Sequence, residues 1–141
     1  IEFNVRMGDP ECQTILPLLE NDLSEIFFDC CVGKLSEKKI KLSNKKSICI
    51  VLCSKGYPED YKKDSEISKL NKLSLKDNEY IYHAGTKLKD NKILNSGGRV
   101  LNFVSTSNNL KESRNDLIKL IKKLDWENGF FRKDIAYKVI D

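Results

Sequence analysis

Ile48-Cys49-Ile50-Val51-Leu52-Cys53 is the longest apolar run in the chain, and its length suits a strand and falls far short of a membrane span. A continuous apolar run of this length predicts a central strand, buried on both faces. The rest of the pattern must then supply the layers around it. Leu110, Leu117, Ile118, Ile121 and Leu124 fall on one face of a helix that Asn109 and Glu112 can cap. Glu79–Leu88 and Lys92–Leu94 read as strands joined by a tight turn at Asp90-Asn91, and Ser96-Gly97-Gly98 turns into a further strand, Arg99–Ser105. Ile135–Ile140 alternates as a last strand. From about residue 47 onward the expected fold is α+β, a mostly antiparallel sheet covered by a helix.

Residues 1–46 read differently. Ile1–Arg6 has the alternation of a short strand, with Glu2, Asn4 and Arg6 on one face. Asp9 can cap a short helix with Pro10 at its first position, and Pro17 limits it. A second helix over Leu23–Cys31 carries Leu23, Ile26, Phe27, Cys30 and Cys31 on one face, with Asp22 and Glu25 at its start and Gly33 at its end. One strand and two helices cannot hold a core alone. Either they pack onto residues 47–141 or they belong to a domain whose remainder lies elsewhere.

Composition bounds the partners. The net charge of +4 comes from 25 basic and 21 acidic residues that are interspersed, so no basic face suggests nucleic acid. No stretch reads as a signal peptide or a membrane span. The five cysteines form no C-x-x-C pair and there is one histidine, which leaves zinc unsupported. Cys30, Cys31, Cys49 and Cys53 sit among apolar residues and read as buried, reduced thiols, which suits a cytoplasmic setting.

The first six residues also carry chemistry. A carboxylate and an amide carbonyl two residues apart offer oxygen ligands to Mg²⁺, and an arginine on the same face suits a neighbouring anion. E-x-N-x-R alone fits equally well an edge strand with a solvated polar face. The longer string E-F-N-V-R-M-G-D-P-E-C-Q resembles the closing metal-binding strand of the ATP-grasp ligases, and specifically the phosphoribosylamine–glycine ligase family. S-K-G-Y-P-E-D-Y (54–61), H-A-G-T-K-L (83–88), S-G-G-R-V-L (96–101) and W-E-N-G-F-F-R-K-D-I-A-Y (126–137) resemble the C-terminal part of the same family, in the family's order. The departures are Met7, where an aromatic is usual, and a surface rich in Lys and Asn.

The resemblance implies that residues 1–46 end an ATP-grasp domain and 47–141 form the C-terminal domain of the ligase. It implies an absent N-terminal part of the same enzyme, which would hold the ATP-binding lobes and without which this stretch would be inactive. The implied reaction joins glycine to 5-phosphoribosylamine in purine biosynthesis, with ATP as co-substrate and glycyl phosphate as intermediate. Mg²⁺ or Mn²⁺ would be held by Glu2 and Asn4, and Arg6 would serve as the catalytic residue at the glycine carboxylate or acyl phosphate. Lys87 and Arg99, brought together by a hairpin beside Gly97 and Gly98, would bind the substrate phosphate. Two readings of Asp9 and Glu11 stand together: contact with the substrate amine, or a helix cap and a first-turn acid. His83 reads as a strand histidine with a satisfied ring. Two other functions fit the pattern less closely, another ATP-grasp ligase and a non-catalytic module that binds a phosphorylated small molecule.

Overall fold

A computed structural model describes residues 3–37 and 39–140. Its centre is the apolar run: β1 (Lys46–Ser54) is paired on both sides, by the long β5 (Arg99–Ser107) and the two-residue β6 (Gly129–Phe130). β2 (Glu79–His83) completes the sheet on the far side of β5, in the order β2-β5-β1-β6, with every pairing antiparallel. A bulge between Leu52 and Cys53 shifts the register, so that Leu52 faces Leu101 while Cys53 faces Arg99.

The predicted helix is α3 (Leu110–Leu124), and the Asn109 side chain accepts from the amides of Lys111 and Glu112 as the cap requires. Its Leu117, Leu120, Ile121 and Leu124 close over Ile48, Ile50, Leu52, Leu101 and Phe103, which alternate toward one face of the sheet. This is the core. The opposite face carries Cys49, Val51, Asn102 and Tyr82, with Val51 and Tyr82 flanking Asn102 in register. The short α1 (Glu11–Ile15) lies against β1 and β5, where Cys12 and Tyr82 border one cavity.

Three expected strands are corrected. The stretch read as one strand over Glu79–Leu88 breaks at Ala84-Gly85, because those amides bond to the carbonyls of Val100 and Arg99. The remainder forms a separate hairpin, β3 (Thr86–Lys89) with β4 (Lys92–Asn95), turned by Asp90 and Asn91 at positive φ. Residues 135–140 form no strand, and 133–139 are turns: Tyr137 and Val139 donate to the carbonyls of Asp134 and Ala136, and Arg114 bonds the carbonyls of Ile135 and Lys133. Alternation there had no neighbouring strand to answer it. Residues 3–10 likewise form no strand, for want of a pairing partner among the described residues. Ile1 and Glu2 lie outside the described residues.

The second helix, α2 (Leu23–Cys31), has the predicted cap, with Asp22 accepting from the amides of Ser24 and Glu25. Its apolar face is not covered: Phe27 and Phe28 are more than half exposed, and so Cys30 and Cys31 are exposed rather than buried. Residues 18–21 instead tie to 41–43, through Ser43 N to Leu18 O and Glu20 N to Lys41 O. All five cysteines are free, and among the described residues no helix is long and apolar enough to cross a membrane.

Candidate functional site

The turn before α1 builds the site. The sequence predicted Asp9 as the helix cap, but Pro10 holds the cap position and no side chain caps the first turn. Asp9 is therefore free to turn outward. Its Oδ2 pairs with Arg99 Nη2 at 3.0 Å, and its carbonyl accepts from Arg99 Nη1 at 2.9 Å. Gln13 Nε2 donates to Asp9 Oδ1 at 2.8 Å. Arg99 opens β5 directly after Gly97-Gly98, so a rigid strand carries the guanidinium to the acidic turn.

Around this contact lies an open cavity of about 650 Å³ bordered by Arg6, Asp9, Cys12, Gln13, Tyr82 and Arg99. An adjoining recess of about 440 Å³ shares Arg6, Asp9 and Arg99 and adds Asn4 and Glu11. Two arginines, an amide and two carboxylates thus face one hollow. Arg6 donates to its neighbour's carbonyl, Met7 O, at 3.0 Å, and Glu11 accepts from the Gly8 amide at 2.6 Å. Such a hollow can take an anion against the arginines and an amine against the carboxylates.

Burial shapes the wall. It pushes the Cys49 thiol up to about 12, with the nearby Asp9 carboxylate adding to the effect. Burial raises the Cys53 thiol too, while Arg99 opposes the shift. Tyr82 is raised by burial first and then by Tyr80, Cys12 and Cys49. The thiols of Cys49 and Cys53 stay protonated near neutrality and border a separate, mostly apolar cavity of about 370 Å³ with Tyr57 and Phe130.

Of the residues singled out in the sequence, Asn4, Arg6, Asp9 and Arg99 meet at this hollow. Lys87 does not border it. Its ammonium pairs with Asp64 at 2.5 Å, and that pairing holds the Asp64 carboxyl below the usual carboxylate range. Just before the hairpin that carries Lys87, Gly85 N donates to Arg99 O at 2.8 Å. The close approach that Gly97 and Gly98 permit is internal: a Cβ on Gly98 would lie 2.1 Å from the Tyr57 ring, and one on Gly97 would lie 3.1 Å from Gly85 Cα. His83 has a ring nitrogen 2.8 Å from Thr86 Oγ1. Gln13 and Tyr82 were not singled out, although D-P-E-C-Q places Gln13 four residues after Asp9, one helical turn.

For a divalent cation, the described residues offer oxygen donors of suitable chemistry at Asn4, Asp9 and Glu11. Among the described residues no three acidic, cysteine or histidine side chains are grouped closely enough to hold a metal ion.

An α+β domain that closes one side of a mixed-charge cavity, with a preceding segment closing the other, is the class this geometry defines. Residues 47–138 match the family described as phosphoribosylglycinamide synthetase, C domain, and the chain belongs to that family. It is 45% identical over 136 residues to a phosphoribosylamine–glycine ligase of Caldanaerobacter subterraneus, covering 96% of this chain and 32% of the relative. It is 42% identical to a bifunctional purine biosynthetic protein of Dictyostelium discoideum, covering 100% of this chain and 17% of that protein. The crystal structure of a phosphoribosylamine–glycine ligase from Thermotoga maritima superposes with a TM-score of 0.71 at 30% identity, over 96% of this chain and 33% of that one. The chain thus spans about a third of the length of the single-activity relatives.

Proposed function

We propose that this chain supplies the C-terminal part of an ATP-dependent ligase that joins glycine to 5-phosphoribosylamine, releasing ADP and phosphate. The observation that carries the reading is the convergence of Arg6, Asp9 and Arg99 on one cavity, from two segments that both match such ligases. In this reading residues 1–46 end the ATP-grasp domain and 47–141 form the C-terminal domain. The uncovered apolar face of α2 supports a further part of the enzyme packing there. Free thiols accord with a cytoplasmic setting.

A carboxylate is a poor acylating agent until phosphorylated, after which an amine displaces the phosphate. The amine is already a nucleophile, so the residues' task is to position groups and neutralise charge. Arg6 would move from Met7 O to the glycine carboxylate and stay with it as charge builds on the acyl phosphate. Arg99, still anchored by Asp9, would hold the 5′-phosphate. Lys87 would join it only by exchanging its pairing with Asp64. Gly97 and Gly98 would shape this wall, and Asp9 would lie near enough to orient the attacking amine. Glu2 and Asn4 would hold Mg²⁺ or Mn²⁺, which when bound neutralises charge between the transferred and leaving phosphates.

The test is Arg99→Ala in the complete enzyme. Losing a charge-assisted bond to phosphate costs about 1.5–3 kcal/mol, so the KM for phosphoribosylamine should rise roughly ten- to a hundredfold. The KM values for glycine and ATP should hold, and turnover at saturation should fall less, because phosphate contact is mostly uniform binding. An unchanged KM for phosphoribosylamine removes Arg99 from the phosphate site.

A further inference from the structure

We infer that Gln13 is a positioning residue for this cavity: its amide sets the Asp9 carboxylate, and Asp9 in turn aims the Arg99 guanidinium at the bound anion. The inference rests on the phosphate role proposed above for Arg99.

Asp9 lies outside α1, so no helical hydrogen bond fixes it. Three side chains of α1 reach back over the turn instead. Glu11 Oε2 accepts from Gly8 N at 2.6 Å, Thr14 Oγ1 donates to Pro10 O at 2.8 Å, and Gln13 Nε2 donates to Asp9 Oδ1 at 2.8 Å. Of the three, the contact made by Gln13 is the one that reaches the carboxylate paired with Arg99. An ionised carboxylate only accepts, so Gln13 must present its NH₂ there, which settles which way the amide faces. With Oδ1 held by Gln13, Oδ2 and the Asp9 carbonyl meet Arg99 Nη2 and Nη1 at 3.0 and 2.9 Å. The arginine is gripped at two points from one side. A guanidinium has five N–H donors, and this grip engages two, leaving three directed away from Asp9. Arg99 is otherwise a long side chain about 40% exposed, and an ungripped one would spread its orientations before each binding event. Removing Gln13 leaves both charges in place but lets the Asp9 carboxylate rotate. The expected loss is therefore smaller than that of Arg99→Ala and confined to the same substrate.

The experiment compares Gln13→Leu, Gln13→Lys and Arg99→Ala in the complete enzyme, by steady-state kinetics in all three substrates and by thermal melting. Gln13→Leu should raise the KM for phosphoribosylamine roughly threefold to tenfold, with the KM for ATP and the melting temperature little changed. Gln13→Lys restores an N–H donor toward Asp9 and should recover most of the loss. If Gln13→Leu fails to fold, Gln13→Glu, which keeps the shape and loses the donor, takes its place. An unchanged or lowered KM, or a lysine variant no better than leucine, overturns the inference. If Arg99→Ala alone raises the KM, only the role of Gln13 falls; if Arg99→Ala does nothing, the phosphate reading falls with it.

Discussion

Asn102 sits in the middle of β5 with 1% of its surface exposed, and neither its Nδ2 nor its Oδ1 has a hydrogen-bond partner among the described residues. Leucine has the same branching and heavy-atom count without the polar atoms. Each unpaired buried polar group costs about 1–3 kcal/mol of desolvation, so removing two should yield roughly 2–6 kcal/mol. Leucine is also bulkier, and overpacking a strand between Val51 and Tyr82 should take back about 1–3 kcal/mol. With about 4 kcal/mol gained and about 2 lost at the middle of these ranges, Asn102→Leu should be more stable by roughly 2 kcal/mol, a rise in Tm of about 4–8 °C for a chain of this size. Asn102→Val, which relieves the crowding, separates the two contributions. Calorimetry and urea melts of the purified chain provide the measurement. If both variants melt well below the parent, the reasoning fails, and an enclosed water or a ligand atom must be satisfying Asn102.

Two further outcomes follow from the same geometry. Iodoacetamide at pH 8 should label exposed Cys30 and Cys31 quickly and Cys49 slowly, because a rise from 9.0 to about 12 leaves about a thousandfold less thiolate. The Cys49 rate should keep climbing about tenfold per pH unit beyond pH 10, and peptide mapping that finds Cys49 labelled as fast as Cys30 would contradict its burial. Gly98→Ala should destabilise by about 1–3 kcal/mol in urea melts, since its new methyl meets the Tyr57 ring at 2.1 Å, and by more than Gly97→Ala, whose methyl comes no nearer than 3.1 Å to its neighbours, Gly85 Cα and the Arg99 carbonyl oxygen.

Much of the fold was legible in the chain because its signals are local. The run Ile48–Cys53 became the central strand, Asn109 and Asp22 capped the helices they precede, and Asp90-Asn91 turned the hairpin. The strand read at 135–140 failed because alternation specifies a strand only where a partner strand waits. The pair Gly129-Phe130, two residues long, carried no period to read and is a strand because the edge of β1 lies open to it. At the site, the residue types in E-F-N-V-R-M-G-D-P-E-C-Q point by themselves to anion and metal chemistry. Spacing could not show that Arg99, ninety residues beyond Asp9, would be the partner of that carboxylate.

What the sequence by itself determined is therefore the central strand, the helices α2 and α3 with their caps, and the turn at Asp90-Asn91. Each depends on neighbours within a few positions. The tertiary structure alone decided which charges meet. It delivered Arg99 to Asp9, left Lys87 with Asp64, and filled the space beside Gly98 with Tyr57. The reason is physical: a hydrogen bond or ion pair is made within about 3 Å, and only the packing of the sheet against α1 and α3 brings residues far apart in sequence to that distance.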